Sequence, residues 1–172
     1  LDYLNETKKM SLNSEFVTDK LPINFKWVGL IKIIFPNAKI IHCKRNAKDN
    51  CLSIYKNFFT NKQMSFSYDL NDIIKFYNLY ENLIRHWKNE IPDFIYDIKY
   101  EDLIKNSNKE IKNIVKWCDL TWNENCLEFY NNKRLIKTAS DTQARSKLYS
   151  SSINNFKNYK LYVGNIFKKL TN

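Results

Sequence analysis

Arg45 and Ser53 stand eight residues apart, one a permanently charged fork of five N–H donors and the other a hydroxyl. Between them the chain reads as the start of a helix. Ile40-Ile41-His42-Cys43 is a short apolar run, rich in β-branched residues and typical of a buried strand. Lys44-Arg45-Asn46 breaks it, Asn46 has the chemistry of a helix N-cap, and a helical pattern opens at Ala47. Cys51, Leu52, Ile54, Tyr55 and Phe58 supply that helix with an apolar side. A strand that runs straight into a helix aims unpaired first-turn N–H groups, and the positive end of the helix dipole, at the space beyond the strand. Together with an arginine and a hydroxyl, that start makes a phosphate cradle built without glycine. The alternative is an ordinary strand–helix unit whose Arg45 faces solvent. The residues alone leave both open.

Two further positions invite the same question. Phe16 to Pro22 reads as a strand ended by its proline, which puts Lys20 at a strand's carboxyl end. Tyr100-Glu101-Asp102-Leu103 follows directly on a strand expected over Phe94 to Lys99, so Tyr100 has the same placement. A phenol offers a stacking face and a polar tip. The competing readings are a solvated lysine and a tyrosine packed under the next helix.

The elements that must position these residues alternate. Ile23 to Phe35 has helical periodicity with a wide apolar face, Asp69 to Glu90 is a long helix, and helices are expected over Ser107 to Cys118 and Asn154 to Lys169. A shorter helix is expected from Trp122 to Tyr130, and Leu1 to Ser14 reads as a helix tail plus loop. Strand, helix, strand, helix is the signature of an α/β fold with a parallel sheet flanked by helices, whose ligands bind beyond the carboxyl ends of the strands. The aromatic stripe of the long helix, Phe76, Tyr77, Tyr80 and Trp87, reads as core, and His86 as structural or exposed. From Asn131 to Ser152 periodicity is lost over a stretch that holds two arginines and three lysines, consistent with a loop folding over an anion.

Composition narrows the classes. The chain has 172 residues, a formal net charge of +10 and 44% hydrophobic residues, enough for one domain with a core. Only Arg45, Arg85, Arg134 and Arg145 are arginines, so a charge total carried by lysine says less than where those four fall. A basic balance suits nucleic acid, a membrane surface or a small anion, but no basic run interleaved with stacking aromatics marks a nucleic-acid platform. Cys43, Cys51, Cys118 and Cys126 form no CxxC and have only His42 and His86 for company, so they read as buried free thiols in a reducing, cytoplasmic compartment, with no metal site expected. No apolar run reaches membrane-spanning length, so no membrane span is expected, and these residues carry no signal-peptide pattern; the start at Leu1 leads to the expectation of further residues upstream.

Arg45-Asn46-Ala47-Lys48-Asp49, then Ser53 and Tyr55, resembles the 3′-phosphate-binding motif of sulfotransferases that use 3′-phosphoadenosine 5′-phosphosulfate (PAPS). The resemblance implies that Arg45 and Ser53 hold the nucleotide 3′-phosphate. Asp19-Lys20-x-Pro22-x-Asn24 is similar to the segment after the second core strand in bacterial and tyrosylprotein sulfotransferases, which implies that Lys20 neutralises charge on the sulfuryl group in transfer. Tyr100-Glu101-Asp102-Leu103 is similar to the segment whose tyrosine meets the adenine end. Thr138 to Tyr149 resembles the closing loop of the bacterial group, implying phosphate contacts for Arg145 and Lys147 and support of the sulfuryl group by Ser140. Phe156 stands where that family often shows tryptophan.

The resemblance spans Phe16 to Tyr159. It implies a P-loop NTPase-like sulfotransferase fold, read over residues 1–172 as a single partial domain with 131–152 as its closing loop. The fold is expected to be incomplete at the N-terminus, because no strand and loop rich in Gly, Ser and Thr for the 5′-phosphosulfate occurs and only Gly29 and Gly164 are glycines. The partners implied are the nucleotide and a hydroxyl or amine acceptor. A P-loop-type kinase and a non-catalytic basic binding module are the rival classes.

Overall fold

The computed structural model describes residues 2–11, 14–60, 62–132 and 145–171. Its centre is a pair of parallel strands, β1 (Ile40–Lys44) and β2 (Ile95–Lys99), in register from Ile40 opposite Ile95 to Lys44 opposite Lys99. Around them, in chain order, lie α1 (Asp2–Ser11), a 3₁₀ helix at Pro22–Trp27 continuing into α2 (Val28–Ile34), and α3 (Ala47–Lys56). A 3₁₀ helix at Lys62–Tyr68 precedes α4 (Leu70–Glu90), and α5 (Tyr100–Lys105) and α6 (Ser107–Trp117) follow β2. The protein is α/β, a small parallel sheet flanked by helices.

Each boundary near the sheet has a local cause. Asn46 caps α3 through its side-chain oxygen, which accepts from the amides of Lys48 (3.0 Å) and Asp49 (3.3 Å). Asp69 caps α4 in the same way, accepting from Asn71 at 2.8 Å and Asp72 at 3.1 Å. The core joins α3 to α4 and the C-terminal segment: Cys51 and Leu52 pack with Ile73, Ile74, Tyr77 and Phe167. Burial in that cluster pushes the Cys51 thiol up to about 12, so it is an inert apolar filler. Gly29 lets α2 approach α4, since a Cβ there would come within 2.7 Å of the Trp87 ring, itself fixed by its indole N–H donating to the Phe25 carbonyl at 2.8 Å.

Several expectations need correction. Phe16 to Leu21 has no regular secondary structure: β1 pairs with β2, and among the described residues no ladder offers this segment a partner. A period-2 pattern proposes a strand, and only a neighbour's hydrogen bonds make one. Tyr55 and Phe58 do not face the core; they are 47% and 80% exposed, the latter just beyond the end of α3. Cys43 is exposed, Cys118 and Cys126 half-buried. The C-terminal helix is broken into a 3₁₀ helix at Asn155–Tyr159, a single α turn at Lys160–Val163 and another 3₁₀ helix at Ile166–Lys169. Asn155 to Tyr159 is wound as 3₁₀ behind Asn154, which is left-handed at φ 59°. The short helix expected over Trp122 to Tyr130 is present as a 3₁₀ helix at Glu124–Asn131.

Among the described residues no helix is long and apolar enough to cross a membrane, and no group of three or more His, Cys, Asp or Glu side chains is arranged to hold a metal ion.

Candidate functional site

At the carboxyl ends of β1 and β2 the chain turns into α3 and α5, and a cavity of about 270 Å³ opens beside those turns. Lys44, Arg45, Asn46 and Asp49 line it from β1 and α3, Lys99 and Glu101 from β2 and α5, and Ile153 and Asn154 from the C-terminal segment. Parallel pairing explains this convergence: both strands point the same way, so the residues that follow them arrive at one rim. Because Lys44 sits opposite Lys99 in register, each strand delivers a cation at its last position. Lys44 is steadied by Glu81 of α4 at 3.1 Å, and the second Glu81 oxygen accepts from the Tyr77 hydroxyl at 2.9 Å.

Arg45 is the centre of the arrangement. Its guanidinium carbon lies 5.5 Å from the centroid of the Tyr100 ring, within reach of a cation–π attraction. One terminal nitrogen, Nη2, donates to the Ser152 carbonyl at 2.6 Å. The Nε–H is buried and has no hydrogen-bond partner among the described residues. Such a buried donor costs free energy unless something accepts from it, and an anionic oxygen is the natural acceptor for a guanidinium. Tyr100 in turn donates its hydroxyl to the Tyr149 carbonyl at 3.0 Å and pairs with the Ser152 hydroxyl at 3.1 Å. Residues 149–154 are thereby drawn across the rim.

Two carboxylates complete the cavity. Glu101 accepts from the Asn46 amide at 2.9 Å, a donor at the start of α3. Asp49, only 2% exposed, accepts from the amides of Asn154 (2.7 Å) and Phe156 (2.8 Å). The Phe156 ring also lies under the Lys48 ammonium, 5.2 Å from its centroid.

The sequence-level candidates divide into those brought together and those placed apart. Arg45 and Tyr100 meet. Ser53 is half-buried in α3; helical spacing puts it on the face shared with Asn46 and Asp49, about 10 Å along the axis from Asn46. Lys20 lies exposed in the irregular segment before Pro22 and does not line this cavity. Arg145 donates to the Asn132 carbonyl at 3.2 Å, and Lys147 sits over the Tyr130 ring at 5.5 Å, so both are engaged with the end of the Glu124–Asn131 helix. Ser140, with residues 133–144 of the expected closing loop, lies outside the described residues. Reasoning from sequence missed Asp49, Glu101, Lys44 and Lys99 as lining residues and Ser152 as the partner of Arg45. Lys44, Lys99 and Glu101 were findable, because each stands at or just after a strand's carboxyl end.

A second polar cluster occupies the face of the sheet under α4. His42 Nδ1 donates to Asp97 at 2.7 Å, its Nε2 accepts from the Tyr80 hydroxyl, and Asp97 also meets Lys88. Burial lowers the His42 pKa, outweighing the Asp97 carboxylate that pulls it up. Burial would raise Asp97, but the Lys88 ammonium and the His42 ring more than offset it and hold the carboxyl below its ordinary range.

A parallel strand pair with lysines at both carboxyl ends, and an arginine just before the following helix, defines an α/β protein with a cationic rim. The sulfotransferase family model matches residues 2–124, so the chain belongs to the sulfotransferase family. It is also 37% identical over 163 residues to an uncharacterized protein of Aquifex aeolicus (strain VF5), an alignment covering 94% of this chain and 21% of that one. The chain thus spans about a fifth of that relative's length.

Proposed function

We propose that the protein moves a sulfuryl group from PAPS to a hydroxyl or amine acceptor, and that the rim around Arg45 holds the 3′-phosphate of the nucleotide on a P-loop NTPase-like sulfotransferase fold. The observation that carries the reading is the buried Nε–H of Arg45 beside the cavity at the start of α3, which has no partner among the described residues. A phosphate oxygen would satisfy that donor and sit at the positive end of the helix. At about 270 Å³ the cavity is of a size for a phosphate and its ribose, not for a whole nucleotide, so the rest of PAPS would extend along the rim.

In this reading Arg45 and Ser53 bind the 3′-phosphate, and Tyr100 serves the adenine end. Arg145 and Lys147 reach the phosphates once released from Asn132 and Tyr130, and Ser140 supports the sulfuryl group. Lys20 neutralises charge at the bridging oxygen. The acceptor oxygen or nitrogen attacks sulfur in line, the bond from sulfur to the 5′-phosphate oxygen breaks, adenosine 3′,5′-bisphosphate departs with the electron pair, and the acceptor's proton passes to solvent or a base. Such a transfer demands positioning and charge neutralisation more than covalent help.

Calorimetry with adenosine 3′,5′-bisphosphate and adenosine 5′-phosphate tests the proposal. A sulfotransferase site prefers the bisphosphate by about tenfold or more, the worth of one charge-assisted hydrogen bond. Equal affinities favour a kinase-like nucleotide site, and no binding of either favours a basic module without chemistry.

A further inference from the structure

Asp49 is the most buried charged residue near the rim. Asp49 is the third residue of α3, on the turn whose free amides Asn46 caps, and a carboxylate there is favoured by the helix dipole. Yet both Asp49 oxygens reach away from its own helix. Oδ2 accepts from the Asn154 amide at 2.7 Å and Oδ1 from the Phe156 amide at 2.8 Å, more than a hundred residues along the chain. Asn154 has left-handed backbone angles (φ 59°, ψ 19°), and a left-handed residue turns neighbouring amides into a concave nest for an anion. Here the anion is the protein's own Asp49.

Two residues before that nest, the Ser152 carbonyl takes the Arg45 Nη2 donor at 2.6 Å, and the Ser152 hydroxyl pairs with Tyr100 at 3.1 Å. Where Ser152 sits decides which way the Arg45 plane faces, and hence where its remaining Nε–H points. Asp49 holds the backbone two and four residues beyond Ser152.

We infer that Asp49 is a positioning residue for Arg45, holding through the backbone of residues 152–156 the carbonyl that orients the guanidinium toward the cavity. The inference rests on the nucleotide reading above and adds a residue that touches no ligand. It also explains how a carboxylate can be buried beside the rim: both of its oxygens accept from backbone amides.

The test pairs Asp49→Ala with Asp49→Asn, the second keeping one oxygen able to accept, and uses Ile74→Val as a core variant that lowers stability away from the rim. Calorimetry with adenosine 3′,5′-bisphosphate is read beside the thermal midpoint of each. A positioning role gives about a tenfold or greater loss of bisphosphate affinity in Asp49→Ala, a smaller loss in Asp49→Asn, and no loss in Ile74→Val even where its midpoint falls. Should Asp49→Ala not fold, Asp49→Asn decides alone: affinity equal to the parent overturns the inference, and a loss that Ile74→Val does not share supports it. If the parent protein itself shows no preference for the bisphosphate, the nucleotide reading fails and this inference fails with it. A selective parent with unaffected Asp49 variants overturns the Asp49 role alone.

Discussion

The Arg45 guanidinium lies over the Tyr100 ring, 5.5 Å from its centroid, so the residues that follow two neighbouring parallel strands meet face to face across the rim. The ring fixes one side of the guanidinium plane and the Ser152 carbonyl fixes one nitrogen. A tethered arginine of this kind loses less conformational freedom on meeting an anion than a free one.

Tyr100→Phe separates the ring from the hydroxyl. The platform under Arg45 survives, while the bonds to the Tyr149 carbonyl and the Ser152 hydroxyl are lost. We expect a stability loss of about 1 kcal/mol and a severalfold weaker grip on adenosine 3′,5′-bisphosphate, with Tyr100→Ala worse on both counts. Chemical denaturation and calorimetry read the two effects. A Tyr100→Ala variant that binds like the parent would remove the ring from the account.

Glu101 makes an opposite prediction. Its carboxylate accepts from the Asn46 amide at 2.9 Å and lines the cavity, where its charge opposes an incoming phosphate. Glu101→Gln keeps an acceptor for the amide and removes the charge, so affinity for the bisphosphate should rise severalfold. The gain should shrink as salt screens the site. Weaker binding by the variant would mean that Glu101 serves the nucleotide directly.

The part of the fold that was legible in the sequence is the part with local causes. β1, the Asn46 cap, α3, α4 and β2 follow from apolar periodicity and capping chemistry within a few residues of each boundary. The Phe16–Leu21 segment was misread because strand formation depends on a partner elsewhere in the chain. Spacing assigns Phe58 to the apolar side of α3, but the helix ends at Lys56, before that side chain could share its face. The Asp49–Asn154 and Arg45–Ser152 bonds span more than a hundred residues, and nothing in spacing announces them. The cation at the start of α3 was visible, and the backbone that orients it was not.

His42 governs how the fold responds to acid. Its pKa is lower in the folded protein than the ordinary value near 6.5, so below that value the unfolded chain takes up a proton that the folded one refuses. Stability should therefore fall as pH drops through about 6.5. Asp97, held below its usual range, adds a second loss at more acidic pH, as its carboxylate protonates and releases Lys88 and His42. Thermal midpoints between pH 7.5 and 5 should decline in the parent and decline less in His42→Gln. A midpoint that rises on acidification would contradict this sign.

The central claim, that Arg45 reads the 3′-phosphate, is tested most directly by one ratio: the affinity for adenosine 3′,5′-bisphosphate divided by that for adenosine 5′-phosphate, measured calorimetrically in the parent and in Arg45→Ala. The account predicts a ratio of about ten or more in the parent that collapses toward one in the variant, because only the bisphosphate presents the oxygen that the buried Nε–H lacks. A ratio that stays high in a folded Arg45→Ala variant would contradict it.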